Sequence, residues 1–317
     1  MGKLSIRIPV WLWTAVMARV TPREGRRFNA DPVRTVDYRF DIDYVGDGLP
    51  QHRLDVLTPQ PRPEAAPVYV YFHGGGWTSG DKAPLTKYCA RQAEAGMVVV
   101  NANYRAAGPH HMRHLLQDAD AVLRWTRDHV AEHGGDPERI VLGGDSAGGQ
   151  LAALTAAMPS MPALAEHYGI RPALPAASIR GLVQHCSMAD FRLVFEPGFA
   201  MGPSFVQLLL PKRLHHSRLA HAARFLSPVE WIGPEFPPTF ISSSSRDFLH
   251  RASRSLAAEM QAHGVPVDTL FLGPESRKAR HTWQQDAAHP DSEVVYRRLQ
   301  AFVERVCQPV GGIAEAA

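Results

Sequence analysis

The residues Gly144-Asp145-Ser146-Ala147-Gly148-Gly149 set a serine among small neighbours, directly after the apolar run Ile140-Val141-Leu142-Gly143 and directly before the helix-forming stretch Gln150 to Ala157. A hydroxyl held on a tight strand-to-helix turn can attack a carbonyl carbon. Such a turn forces a strained backbone, and small residues give it room. The following helix aims its N-terminal amides at the point where negative charge develops. The resulting oxyanion needs N–H donors, and His73-Gly74-Gly75-Gly76-Trp77 follows the run Val68 to Phe72 with glycines that admit close main-chain approach. Gly75 and Gly76 are the expected donors, with Ala147 from the serine turn as the third.

The serine also needs a base and an acid, which follow it in strand–turn–helix serine enzymes in the order acid, then histidine. The run Phe240 to Ser243 leads to Asp247, the expected acid, and the last apolar run, Thr269 to Leu272, leads to His281, the expected general base. His289 is the rival base, but Ala288-His289-Pro290 reads as the lead-in to the final helix. Asp286 and Asp190 are rival acids, and neither directly follows the next-to-last strand. Asp118 and Asp120 belong on a helix face, Asp145 is expected to face away from the serine, and His73, preceding the serine, takes a structural role. The glycine-rich turn could instead cradle a phosphate, but no Lys-Ser/Thr follows it and no Gly-x-Gly-x-x-Gly is present. Arg277, Lys278 and Arg280 lie just ahead of His281. They read as a solvated loop, unless that loop overhangs the pocket, where it would favour esters carrying a carboxylate or phosphate.

These residues must be positioned by alternating strands and helices. Tyr38 to Tyr44 alternates as a strand and can pair with His52 to Leu57 across the Gly46-Asp47-Gly48 turn. Val68 to Phe72, Met97 to Asn101, Ile140 to Gly143, Ile179 to Cys186, Thr239 to Ser243 and Thr269 to Leu272 are continuous apolar runs, as in parallel strands covered on both faces. Helices are expected over Pro84 to Ala95, Leu115 to His133, Gly148 to Met158, Ala252 to His263 and Ser292 to Val306. The fold class is therefore α/β. Ser187 to Pro238 breaks the rhythm and reads as a helical insertion over the sheet's edge, as lids and binding loops often are. The apolar stretch Ile8 to Ala18, with Trp11 and Trp13, is expected to form a helix packed over the body, and the tail after Gln308 to fray.

A hydrophobic content of 45% and a charged content of 21% exclude disordered and fibrous classes. The net charge of +3 comes from bases scattered among acids, so nucleic acid is not an expected partner. Cys89, Cys186 and Cys307 are odd in number and far apart, which signals neither a disulfide framework nor a metal site and points to a cytoplasmic location. Ile8 to Ala18 is too short to span a membrane, and Lys3 and Arg7 ahead of it make only a poor imitation of a signal peptide.

From Val68 to Arg305 the chain resembles the hormone-sensitive-lipase-like esterases, in their Gly-Asp-Ser-Ala-Gly subgroup. The resemblance rests on His73-Gly74-Gly75-Gly76-Trp77, Ser79-Gly80-Asp81-Lys82, Asn103-Tyr104-Arg105, Gly135 to Ile140, Gly144 to Gly149, Ser227-Pro228 and Asp247-Phe248-Leu249. It implies the α/β-hydrolase fold, a mostly parallel sheet with helices on both faces and a helical lid. It further implies a triad of Ser146, Asp247 and His281, an oxyanion hole of Gly75, Gly76 and Ala147, and hydrolysis of short to medium acyl esters with no cofactor and no metal. Residues 1–35 would form an N-terminal lid segment, residues 36–310 the hydrolase domain with a lid insertion at about 188–236, and residues 311–317 a flexible tail. The partner is a small ester, and a homodimer is left open. Two departures stand out: Ala106-Ala107-Gly108-Pro109 follows Tyr104-Arg105 where the family has Leu-Ala-Pro-Glu, and the loop from Gly273 to His281 is long. The His-Gly-Gly-Gly-Trp and Gly-Asp-Lys stretches also resemble arylformamidase-like amidases, the alternative with the same triad. A non-catalytic module of this fold would lack a triad member, and a lipid-surface enzyme would use the apolar N-terminal helix.

Overall fold

The computed structural model describes residues 9–196, 199, 202–212 and 215–308. The first eight residues of the expected N-terminal segment and the tail at 311–317 lie outside the described residues. The apolar runs form strands β1 (Val36–Asp43), β2 (Arg53–Pro59), β3 (Ala66–Phe72), β4 (Val98–Ala102), β5 (Gly135–Asp145), β6 (Ile179–His185), β7 (Thr239–Ser244) and β8 (Val267–Leu272). They make one sheet in the order β1-β2-β4-β3-β5-β6-β7-β8. β1 pairs antiparallel with β2, and β2 antiparallel with β4, while every later pairing is parallel.

The helices are α1 (Val10–Phe28), α2 (Thr86–Glu94), α3 (Met112–His129), α4 (Ser146–Ala157), α5 (Pro162–Tyr168), α6 (Pro203–Leu209), α7 (His216–Ala223), α8 (His250–Ala262) and α9 (Ser292–Val306). Side-chain alternation decides which face each meets. Val68, Val70 and Phe72 of β3 join the core under α3, α4 and α8, while Tyr69 and Tyr71 join the core under α2 and α9. Helices on both faces bury the central strands, which is why those strands read as unbroken apolar runs. All twelve residues of α4 are buried.

Three expectations change. The N-terminal helix does not end near Ala18 but runs to Phe28, through Pro22. Ala18 and Pro22 are both exposed, so the carbonyl that Pro22 leaves unbonded meets water. Trp13 packs against the body, but Trp11 is 70% exposed. The insertion does not lie over an edge of the sheet. It leaves between the interior strands β6 and β7 and lies over the C-terminal strand ends, with Phe191 and Phe205 against Trp77 and the Leu226 carbonyl accepting from Gln150 of α4.

Candidate active site

β5 runs without a linker into α4, and Ser146 stands at the junction with φ of 52°, a backbone region that L residues seldom occupy. This strained turn lifts the hydroxyl off the sheet. His281 and Asp247 reach the same point from the ends of β8 and β7. His281 Nε2 lies 3.0 Å from Ser146 Oγ, and His281 Nδ1 lies 2.7 Å from Asp247 Oδ1. The three residues expected from sequence thus meet in one hydrogen-bonded row. Burial works to raise the Asp247 carboxyl, but the adjacent His281 and the Leu249 N–H together hold it below the usual carboxylate range. The Ser243 hydroxyl donates to its other oxygen at 3.1 Å. Asp247 therefore stays an anion, able to fix the Nδ1–H tautomer of His281 and leave Nε2 free to accept. Cys186 offers its sulfur within 4.8 Å of the same carboxylate and imidazole, but these two already bond to each other.

The rivals lie elsewhere. His289 Nδ1 accepts from the Asp291 N–H at the start of α9. Asp190 binds Arg192 and Ser255, and Asp286 faces Arg27. Asp118 pairs with Arg105, and Asp120 accepts from the Ala173 N–H. His73 is buried and stacks on Tyr104, with its carbonyl accepting from the Tyr104 hydroxyl. Arg277, Lys278 and Arg280 are exposed, and none of them lines the cavity at Ser146.

That cavity, of about 200 Å³, is roofed by the inner face of α1, with Trp13, Met17, Val20 and Glu24, and floored by Ser146, His281 and His73–Gly75. Gly74 N–H is committed to Asp145 Oδ1 at 3.1 Å, so the amides of Gly75 and Gly76, with that of Ala147 opening α4, are the candidate oxyanion donors. Three side chains that shape this site escaped sequence reasoning. Asp145 faces the glycine loop, accepting from Gly74 and from the Tyr71 hydroxyl, and burial pushes its carboxyl up to about 6. Trp13 Nε1 donates to the Gly75 carbonyl at 3.1 Å, and Phe248 covers His281 at 4.5 Å between ring centres. Only Trp13 left a signal: Trp13, Met17, Val20, Glu24 and Phe28 recur at helical spacing.

A family model described as the alpha/beta hydrolase fold matches residues 69–275. The protein named "Probable carboxylic ester hydrolase LipM", from Mycobacterium tuberculosis, is 32% identical over 243 residues, which is 73% of this chain and 51% of that protein. Esterase LipQ from the same organism is 30% identical over 256 residues, 75% of this chain and 56% of that protein. The chain spans about half the length of the curated relatives it matches. Among solved structures, an inhibited esterase B from Lactobacillus rhamnosis has a TM-score of 0.82 at 22% identity, covering 92% of this chain and 94% of that one. The chain belongs to the α/β-hydrolase fold family, in its hormone-sensitive-lipase-like branch.

Proposed function

We propose that the protein is a serine carboxylesterase in which Ser146 is the nucleophile, His281 the general base and Asp247 the residue that orients it. The row of contacts at 3.0 and 2.7 Å carries this reading. Ser146 Oγ attacks the ester carbonyl carbon as its proton passes to His281 Nε2. The tetrahedral oxyanion is held by the amides of Gly75, Gly76 and Ala147. His281 then returns the proton to the departing alkoxide, leaving an acyl-serine and a free alcohol. Water, deprotonated by the same Nε2, attacks the acyl carbon and releases the carboxylic acid with Ser146 restored.

A cavity of about 200 Å³ is smaller than the roughly 300–1,000 Å³ of pockets for drug-sized ligands, which supports short to medium acyl esters. α1 bounds that cavity, and Phe205 of the 188–236 insertion joins Trp13 and Trp77 in the ring cluster beside it, which supports their reading as a lid on a hydrolase domain. Relatives named as ester hydrolases favour esters over the formamide alternative. The test is a hydrolysis screen over p-nitrophenyl esters of rising chain length beside aryl formamides and acetylated sugars. It is paired with fluorophosphonate labelling of wild type and Ser146→Ala. Short aryl esters turn over fastest and only wild type is labelled; equal labelling of the variant removes Ser146 as nucleophile.

A further inference from the structure

The outer face of α1 carries an apolar end that nothing in the described fold covers. Trp11, Leu12 and Val16 are 70%, 41% and 46% exposed. Helical spacing continues that face through Arg19, Arg23 and Arg26, all exposed. The helix's one acid, Glu24, lies on the opposite face with Trp13, Met17 and Val20, toward the cavity. One side of the helix is therefore anchored in the protein, and the other is apolar at one end and cationic along the rest. No described helix is long and apolar enough to cross a membrane.

We infer that α1 docks the protein onto an anionic lipid surface. Trp11, Leu12 and Val16 enter the interface, and Arg19, Arg23 and Arg26 meet lipid phosphates. A tryptophan flanked by aliphatic side chains suits the boundary between headgroups and acyl chains. Arginine forks match phosphate oxygens, and a helix with a basic polar face and bulky apolar residues lies in that boundary plane. A second copy of the chain fits less well, since a two-fold contact across this face would bring two arginine rows together. The docking is a property beyond ester hydrolysis. It also holds at the lipid surface the helix whose inner face roofs the catalytic cavity.

The test uses the full chain in flotation with vesicles of phosphatidylcholine alone and of phosphatidylcholine mixed with phosphatidylglycerol, at low and high salt. Wild type floats with the mixed vesicles at low salt, and high salt weakens it. An anionic surface attracts each nearby cation by roughly fivefold in partition, so a variant with Arg19→Gln, Arg23→Gln and Arg26→Gln loses about a hundredfold. A variant with Trp11→Ser, Leu12→Ser and Val16→Ser loses binding at either salt. Both keep wild-type thermal unfolding and wild-type rates on a soluble aryl ester, since none of these side chains lines the cavity. Equal flotation with both vesicles, or binding untouched in both variants, overturns the inference. So does conversion of a solution dimer to monomer by the serine variant, which assigns the face to a second copy. If wild type hydrolyses no soluble ester, the esterase reading falls alone and flotation still decides this one.

Discussion

Gly75→Ala isolates the contribution of the glycine loop. Gly75 has φ of +130°, and a Cβ there would lie 2.0 Å from the Ser79 carbonyl oxygen, 2.5 Å from its carbon and 2.9 Å from Gly80 N. All three are main-chain atoms, so none can rotate aside. The Gly75 peptide is also pinned, its carbonyl accepting from Ser79 Oγ at 2.6 Å and from Trp13 Nε1 at 3.1 Å. Relief therefore requires the loop itself to move, and the loop carries two of the expected donors. Backbone strain of this kind costs about 1–3 kcal/mol. A misplaced oxyanion donor costs about 2.7–4 kcal/mol in the transition state, or roughly 10²–10³ in kcat. Gly96 supplies the control, with φ of +103° and nothing within 4 Å of an added Cβ. Both alanine variants should lose stability in thermal unfolding. On p-nitrophenyl butyrate only Gly75→Ala should lose kcat, by about a hundredfold or more. A Gly75→Ala enzyme within a few-fold of wild-type kcat would refute the assignment of this loop.

His281→Ala should lower kcat by about 10⁴-fold or more, while His289→Ala stays near wild type; steady-state rates in the reverse order would move the base. Glu24 is the carboxylate on the cavity roof, with burial raising its pKa, and it should repel anionic esters. Glu24→Gln should raise kcat/KM for a hemisuccinate monoester relative to a neutral ester by about fivefold at low salt, fading at high salt; an unchanged ratio removes Glu24 from specificity. His185 lies buried between the Tyr88 hydroxyl at 2.8 Å and Ser242 Oγ at 2.6 Å, and burial pushes its pKa down to about 3. A depressed folded pKa means the unfolded chain takes the proton first, so stability falls as pH drops below the ordinary 6.5 toward 3, by about 2 kcal/mol at pH 5. Asp145, with its raised pKa, works in the opposite direction over part of that range, so the measurement is urea unfolding of wild type against His185→Gln at pH 7 and pH 5. Equal losses in the two proteins would remove His185 as the cause.

Most of the sheet was legible because burial on both faces leaves an apolar run, as in Val68–Phe72 and Val98–Val100. The serine turn was legible because a strained junction needs small residues at fixed offsets. Asp247 and His281 were legible only through chain order, which names a strand end and not a contact. What stayed hidden was non-local. Trp13 bonds to Gly75, 62 positions away, and Asp145 to Gly74, 71 positions away. No periodicity along the chain encodes such a pair. The continuation of α1 past Pro22 was hidden because proline ordinarily ends a helix, and here its cost falls on the solvent side. Short α5, over Pro162–Tyr168, has too few turns to show a pattern.

The register of two strands links the serine turn to the glycine loop. β3 and β5 pair in parallel with Tyr71 opposite Gly143 and Phe72 opposite Gly144, so the chain leaves both strands at the same height. Asp145 then ties the two exits together, accepting from Tyr71 below and Gly74 above. Gly148 allows the first turn of α4 to close on that seam, since a Cβ there would sit 2.1 Å from the Phe72 carbonyl oxygen. The separation between the serine hydroxyl and the glycine amides is therefore a property of the sheet's hydrogen bonding, carried outward by one buried carboxylate. A shift of either strand would misalign the proposed nucleophile and donors together. That coupling accounts for a charged residue buried beside the serine: its two bonds keep the two halves of the site in step.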